Sequence, residues 1–257
     1  MEVQILGAHG IEAKGARLTS LLVDGVLAID AGGLTSALSL SQQEKIKTVL
    51  LSHHHFDHTR DLITLGANAA YWQGQIVVYA LQHTLDVVIP CLLDGKMYIN
   101  FLEYPDREKP FLKFKTIEPY EREAIERYEV LPLPVKHSAP SVGYQVTSSD
   151  GKSLFYTGDT GPELSHCWQR VSPQLLITEV CGPNKFEDWL KGVGHLSAKL
   201  LKEELVQFKN LKGYLPRVIA IHMALPYEDE IREEVAQVAE ELEADISLGY
   251  EDMKIVL

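Results

Sequence analysis

Apolar positions along the chain gather in short runs with β-branched character. Val3–Leu6, Ser20–Val23, Val26–Asp30, Thr48–Leu51 and Ile76–Tyr79 read as strands. Asp24-Gly25 between two of them is a two-residue hairpin signal. Leu34–Gln43 reads as a helix, and Leu62, Ile63 and Leu65 begin another. The apolar stretch Leu81–Leu93 is closed by a turn at Asp94-Gly95. Residues 95–125, aromatic, charged and proline-containing, read as an insertion carrying substrate-side loops. Leu131–Val135, with Pro132 and Pro134, reads as an edge-like extended segment.

Val142–Thr147 and Ser153–Thr157 flank a second hairpin signal at 148–151. From there the pattern alternates. Glu163–Val171 reads as a helix, Leu175–Val180 as a buried strand, and a polar loop leads to Gly194-His195-Leu196-Ser197. Ser197 is placed to cap an amphipathic helix carrying Leu200, Leu201 and Leu205. Arg217–Ile221 reads as a strand, Glu228–Leu242 as a helix, and Ile246–Leu248 and Lys254–Val256 as final extended pieces. Hairpins followed by strand–helix alternation predict an α+β fold, two mixed sheets faced by helices, as one domain over residues 1–257.

Composition changes this picture little. The chain is 46% hydrophobic and 23% charged, which is ordinary for a globular domain. A net charge of −12 with no Lys/Arg cluster excludes a long nucleic acid as the expected partner. No stretch approaches the ~20 apolar residues of a membrane span, and Met1–Gly7 reads as a first strand rather than a signal peptide. The cysteines are Cys91, Cys167 and Cys181. Their wide spacing argues against a disulfide framework or cysteine–zinc site and for buried free thiols in a reducing cytoplasm.

The chemistry concentrates directly after the Thr48–Leu51 run. His53-His54-His55-Phe56-Asp57-His58 holds four histidines and one aspartate in six consecutive positions. Imidazole and carboxylate ligands suit zinc and similar metals. His53 and His55, two apart, point the same way on extended backbone. His137, Asp159 and His222 each follow a run read as a strand. The inventory suits two metals: one on His53, His55 and His137, the other on Asp57, His58 and His222, with Asp159 bridging. Asp30 is placed either to support the metal loop or to cap its own turn. His9 reads as a rim residue, and His54, His83 and His166 as structural or exposed.

His53-x-His55-x-Asp57-His58 with His137, Asp159 and His222 resembles the metallo-β-lactamase superfamily. The resemblance covers nearly the whole chain and implies a four-layer αβ/βα sandwich. Within that superfamily, Tyr156–Pro162, Trp168, Glu179–Asn184, Gly194–Ser197, Glu203–Leu205, Ile221-His222 and Pro226 are similar to class II cyclic-nucleotide phosphodiesterases. Asp30-Ala31-Gly32 and the histidine loop fit as well. The chain departs from that family at Phe56, where leucine is common, and at Val87–Cys91, where an asparagine- and tryptophan-bearing stretch is expected.

The resemblance implies hydrolysis of 3′,5′-cyclic AMP or GMP to the 5′-monophosphate, with two divalent ions, zinc first and manganese or iron as alternatives. It is compatible with a homodimer, although no interface is legible. His195 is the expected phosphate-charge stabiliser or proton donor, with Glu179 holding it charged. Asn184 is a candidate phosphate or sugar contact. The competing expectations are a tRNA 3′-processing endonuclease, a thioester or lactone hydrolase on the same metals, and a metal-binding module without turnover.

Overall fold

The computed structural model describes residues 1–257 and contains two seven-stranded sheets. The first holds β1 (Glu2–Gly7), β2 (Ser20–Val23), β3 (Leu27–Ile29), β4 (Thr48–Leu50), β5 (Ile76–Ala80) and β6 (Leu112–Thr116). The second holds β7 (Glu123–Ile125), β8 (Tyr128–Val135), β9 (Ser141–Ser148), β10 (Ser153–Tyr156), β11 (Leu175–Glu179), β12 (Arg217–Ile221) and β13 (Ile246–Leu248). The last strand, β14 (Lys254–Val256), returns to the first sheet beside β1. Sheet order is β14-β1-β2-β3-β4-β5-β6 and β13-β12-β11-β10-β9-β8-β7. Each sheet is antiparallel where hairpins join its strands and parallel where helices do.

The apolar runs explain the layering. Along β1 and β4, neighbours alternate between two cores: Ile5 and Leu50 enter the core between the sheets, while Leu6, Val49 and Leu51 enter a second core outside the first sheet. Both faces of β4 are buried, so it reads as an unbroken apolar run, whereas β1 keeps Glu2 and Gln4 partly exposed before it enters the core. Leu62, Leu65 and Ala69 of the helix Leu62–Trp72 close the outer core. Trp168, Leu201, Phe208, Ile231 and Val235, from the helices Ser165–Arg170, Ala198–Lys212 and Glu228–Leu242, pack with the second sheet. The result is helices, sheet, sheet, helices, the four-layer sandwich expected.

Local departures have local causes. Leu34–Gln43 is two short helices, Leu34–Ala37 and Leu40–Gln43, because Leu38 is extended and Ser39 starts the second with a capping box to Gln42. Asp24 and Gly25 both have positive φ, as a tight hairpin turn requires. Pro132 and Pro134 lie beyond the reach of β7, which pairs only with Tyr128–Val130, so no ladder hydrogen bond is lost on that side.

Residues 95–125 do not carry substrate-side loops. Phe101, Phe111 and β6 complete the edge of the first sheet instead. His9 is not on the rim. It is buried, with Nδ1 2.8 Å from Glu251 Oε1 and Nε2 3.3 Å from Glu228 Oε2. The three cysteines are free thiols, but only Cys167 is buried; Cys91 is exposed. No helix is long and apolar enough to cross a membrane.

Candidate metal centre

Every cluster residue stands at or just beyond a strand end on one rim of the sandwich. The loop after β4 carries His53 and His55, and the one-turn helix Phe56–Thr59 that follows carries Asp57 and His58; His137 follows β8, Asp159 follows β10 and His222 follows β12. Strand ends suit this task, since the sheet fixes the backbone while the following loop leaves the side chain free to turn inward. His222 has φ +62, a left-handed conformation uncommon for a non-glycine residue and typical of strain held at functional sites.

The donor atoms fall into two groups that share Asp159. In the first, single donor atoms of His53, His55, His137 and Asp159 all lie within 4.8 Å of one another. In the second, the same holds for Asp57, His58, Asp159 and His222. His55 Nδ1 faces His137 Nε2 at 3.1 Å. His222 Nε2 lies 3.1 Å from Asp57 Oδ2 and 3.2 Å from Asp159 Oδ2. His58 Nε2 lies 3.3 Å from Asp159 Oδ1.

Behind the donors, a buried polar layer orients the rings. Asp30 Oδ2 accepts from His58 Nδ1 at 2.8 Å, Tyr156 Oη at 2.7 Å and Ser52 Oγ at 2.8 Å, and Asp30 Oδ1 accepts the Ser52 N–H at 2.7 Å. Ser52 Oγ is also 3.0 Å from His53 Nδ1. His137 Nδ1 donates to the Gly194 carbonyl at 3.0 Å. Three imidazoles thus have Nδ1 engaged and present Nε2 to the centre, the usual device for fixing a ligand's tautomer. Gly194 has φ +82, and a Cβ there would meet His137 Cα at 2.6 Å, so only glycine allows this close approach.

The arrangement fits metal ions. His53 Nε2, His58 Nε2 and Asp159 Oδ1 are buried without any hydrogen-bond partner of good geometry. In a folded protein each such orphan costs about 1–3 kcal/mol unless something compensates it. Three orphans aimed at one another indicate that the compensation is a cation. The protonation states agree with part of this. Burial and the neighbouring His58 hold His53 well below the usual histidine range. Burial alone would raise the Asp159 carboxyl, but the facing imidazoles of His222 and His58 hold it well below its usual range. Those two imidazoles are in turn raised well above normal: burial opposes their charge, and the facing carboxylates outweigh it. Ligating imidazoles bind metal through a neutral nitrogen, so metal and protons compete for these two rings. The clusters are consistent with a dinuclear metal site, and the nitrogen and oxygen donors suit zinc, manganese or iron.

His195 adjoins the cluster, its ring 4.9 Å from that of His137 and nearly parallel to that of His222. Its Nδ1 is 2.9 Å from Glu179 Oε1. Glu179 is itself fixed by the N–H groups of Thr160 (2.6 Å) and Leu196 (3.1 Å). Burial lowers the His195 pKa, but the Glu179 charge and hydrogen bond outweigh it and the net shift is upward. Asn184 is not brought to the site. Its Oδ1 accepts the Lys199 N–H at 2.8 Å and its own N–H is held by Glu234, so it ties one helix start to another helix. His54 packs edge-on against His55 and near His83, and His166 donates to the Pro134 carbonyl.

A cavity of about 610 Å³ opens over His55, Asp57, Asp159, His195 and His222. Its wall includes Ile11, Phe186, Trp189, Leu190 and Tyr227. These residues carry no polar motif, and sequence reasoning passed over them. The only signal was two aromatics inside the polar stretch before Gly194.

Comparison with known proteins follows the same line. The Beta-lactamase superfamily domain matches residues 19–223. A probable 3′,5′-cyclic-nucleotide phosphodiesterase of Yersinia pestis is 24% identical, over 82% of this chain and 73% of its own length. Unliganded yeast PDE1 superposes with TM-score 0.82 at 19% identity, covering 100% of this chain and 99% of its own. The metallo-beta-lactamase fold protein YhfI from Bacillus subtilis superposes with TM-score 0.79 at 16% identity, over 99% of this chain and 98% of its own. With the family domain matching most of the chain, including the whole histidine–aspartate cluster, the chain belongs to the metallo-β-lactamase superfamily.

Proposed function

We propose that the protein is a dinuclear metal-dependent phosphodiesterase that hydrolyses 3′,5′-cyclic nucleotides to 5′-monophosphates. The observation that carries this reading is the His195–Glu179 pair, poised beside the shared Asp159 in the same cavity. His53, His55, His137 and Asp159 would hold one divalent ion, and Asp57, His58, Asp159 and His222 the other. Zinc is the first choice, with manganese or iron as alternatives. Two such ions supply Lewis acidity and lower the pKa of water toward neutrality.

The chain's own residues do the rest. Glu179 holds the His195 ring by Nδ1, leaving Nε2 to face the substrate. As water attacks phosphorus and the P–O3′ bond breaks, protonated His195 gives its Nε2 proton to the departing 3′ oxygen. A sugar alkoxide is a poor leaving group, so this proton matters. Thioester hydrolysis has no comparable need for such a donor. The net charge of −12 and the apolar wall favour a small substrate over long RNA. The likeness to the Yersinia phosphodiesterase and to yeast PDE1 supports the same choice. The proposal includes a cytoplasmic setting, in keeping with free thiols.

His195→Ala tests the assignment. The variant is expected to bind two metal equivalents and to lose about 10²–10⁴-fold in kcat on cyclic AMP. On bis(p-nitrophenyl) phosphate, whose leaving group needs no proton, the loss should be much smaller. Equal losses on both substrates would contradict the proton-donor role. Loss of metal would instead make His195 structural or a ligand; its donor atom lies within 4.8 Å of those of Glu179, Cys181 and His222.

A further inference from the structure

The wall of the metal cavity holds aromatic surface that the hydrolytic chemistry does not use. Trp189 is 63% exposed, and Phe186 and Tyr227 are each 36% exposed. Single exposed aromatics are common and need no explanation. Here three line one cavity that has the metal cluster at its floor.

Their placement is built rather than loose. Trp189 and Leu190 lie on the short helix Glu187–Val193. Leu190 is buried, and its carbonyl accepts the His195 N–H at 2.8 Å, so the helix bearing Trp189 is tied directly to the loop bearing His195. Phe186 meets Tyr227 edge to face with centroids 5.2 Å apart. Lys185 Nζ sits over both rings, 5.3 Å from one and 4.9 Å from the other, and is anchored by Glu230 Oε2 at 2.6 Å. A cation over two ring faces holds that pair in one arrangement.

The polar content of the wall is equally informative. Outside the metal cluster and His195, the lining has no Asn, Gln, Ser, Thr, Lys or Arg side chain; its only polar side-chain groups are the Cys181 thiol, the Trp189 indole N–H and the Tyr227 hydroxyl. Discrimination between base edges needs several placed donors and acceptors, and a site with so few of them separates substrates weakly. The faces of aromatic rings, by contrast, accept every base.

We infer that Trp189, which shares the cavity wall with the Phe186–Tyr227 pair, is a specificity-determining platform that stacks the heteroaromatic base of the substrate by its face, without reading the base edge. The inference rests on the cyclic-nucleotide reading above and extends it to how the base is held. Purine and pyrimidine nucleotides should both be accepted, and a sugar phosphate lacking the base should not.

The test is calorimetric titration of the zinc-loaded protein with 5′-AMP, 5′-GMP, 5′-CMP and ribose 5-phosphate. The three nucleotides should bind within about tenfold of one another, and each at least about tenfold more tightly than ribose 5-phosphate. Trp189→Ala should reduce that preference to below about threefold, while Trp189→Phe keeps most of it. In the unaltered protein, 5′-AMP should quench tryptophan emission more than ribose 5-phosphate does, a readout independent of any variant. Undiminished base preference in Trp189→Ala, a more than about hundredfold choice between AMP and GMP, or no binding of any nucleotide would overturn the inference. Base-dependent binding that needs Trp189, without turnover of cyclic AMP, would sink the phosphodiesterase reading alone. Turnover with binding indifferent to Trp189 would sink the stacking platform alone.

Discussion

Asp159→Ala is expected to lower phosphodiester turnover at least about a thousandfold, equivalent to about 4 kcal/mol of transition-state stabilisation. Bound metal should fall from two equivalents to one or none. Asp159 is 2% exposed, and its carboxylate faces four imidazoles. Oδ2 lies 3.2 Å from His222 Nε2, 3.8 Å from His53 Nε2 and 3.9 Å from His137 Nε2, while Oδ1 lies 3.3 Å from His58 Nε2. It alone belongs to both donor groups. Under the proposed assignment, removing it would take a ligand from each site and delete one of the two carboxylates available to offset the charge of two divalent ions. Metal analysis after dialysis, run beside circular dichroism to show an intact fold, reads the outcome. Two equivalents retained with near-normal turnover would mean that Asp159 bridges nothing.

Asp30→Ala should be the most damaging change to stability near the site. Asp30 is fully buried and accepts four hydrogen bonds. Its loss strands the Ser52 amide, the Tyr156 hydroxyl and the His58 Nδ1–H in a dry interior. Stranded donors cost about 1–3 kcal/mol each, and relaxation trims the sum to about 3–5 kcal/mol. For a chain of this size that is a fall of roughly 5–15 °C in melting midpoint. Metal affinity should drop about 10–100-fold as well, because His58 and His53 both lose the support that aims them. Asp30→Asn keeps the volume and one acceptor oxygen, so its effect should be smaller in both respects. Calorimetric melting of the metal-free and zinc-loaded forms separates the two effects. A variant that melts with its parent in both forms would remove Asp30 from the account.

The residues that sequence reasoning reached were those whose chemistry is costly elsewhere. Four histidines and one aspartate crowd into His53–His58, and His137, Asp159 and His222 each follow a run that reads as a strand, so these ligand types stood out by density and by position. Their convergence followed once the strands were placed, because both sheets deliver their ends to one rim. His195 was visible through its glycine-flanked loop. Asp30 was visible only as one of two options, since an aspartate after a strand caps turns as readily as it supports ligands.

Other features depend on information that local pattern does not carry. Asn184 looked free to meet a substrate, and its commitment to Lys199 and Glu234 comes from residues 15 and 50 positions away. His9 looked peripheral because its partners, Glu228 and Glu251, lie at the far end of the chain. The aromatic wall was hidden for a different reason. Phe186, Trp189 and Tyr227 are residue types that usually fill cores, and only the packing shows that they face a cavity. Residues 95–125 misled in the opposite sense. Their polar, aromatic composition suggests a functional insertion, but Phe101, Phe111 and Leu112 pack into the outer core.

Whether two metals and His195 in one cavity hydrolyse a cyclic phosphodiester is decided by product analysis. The zinc-loaded protein is incubated with 3′,5′-cyclic AMP and, separately, with an acyl thioester, and the products are resolved by chromatography. The expected nucleotide product is 5′-AMP, its formation stopping on chelation and returning with metal, with little or no thioester cleavage. Rapid thioester cleavage with cyclic AMP left intact would contradict the phosphodiesterase reading.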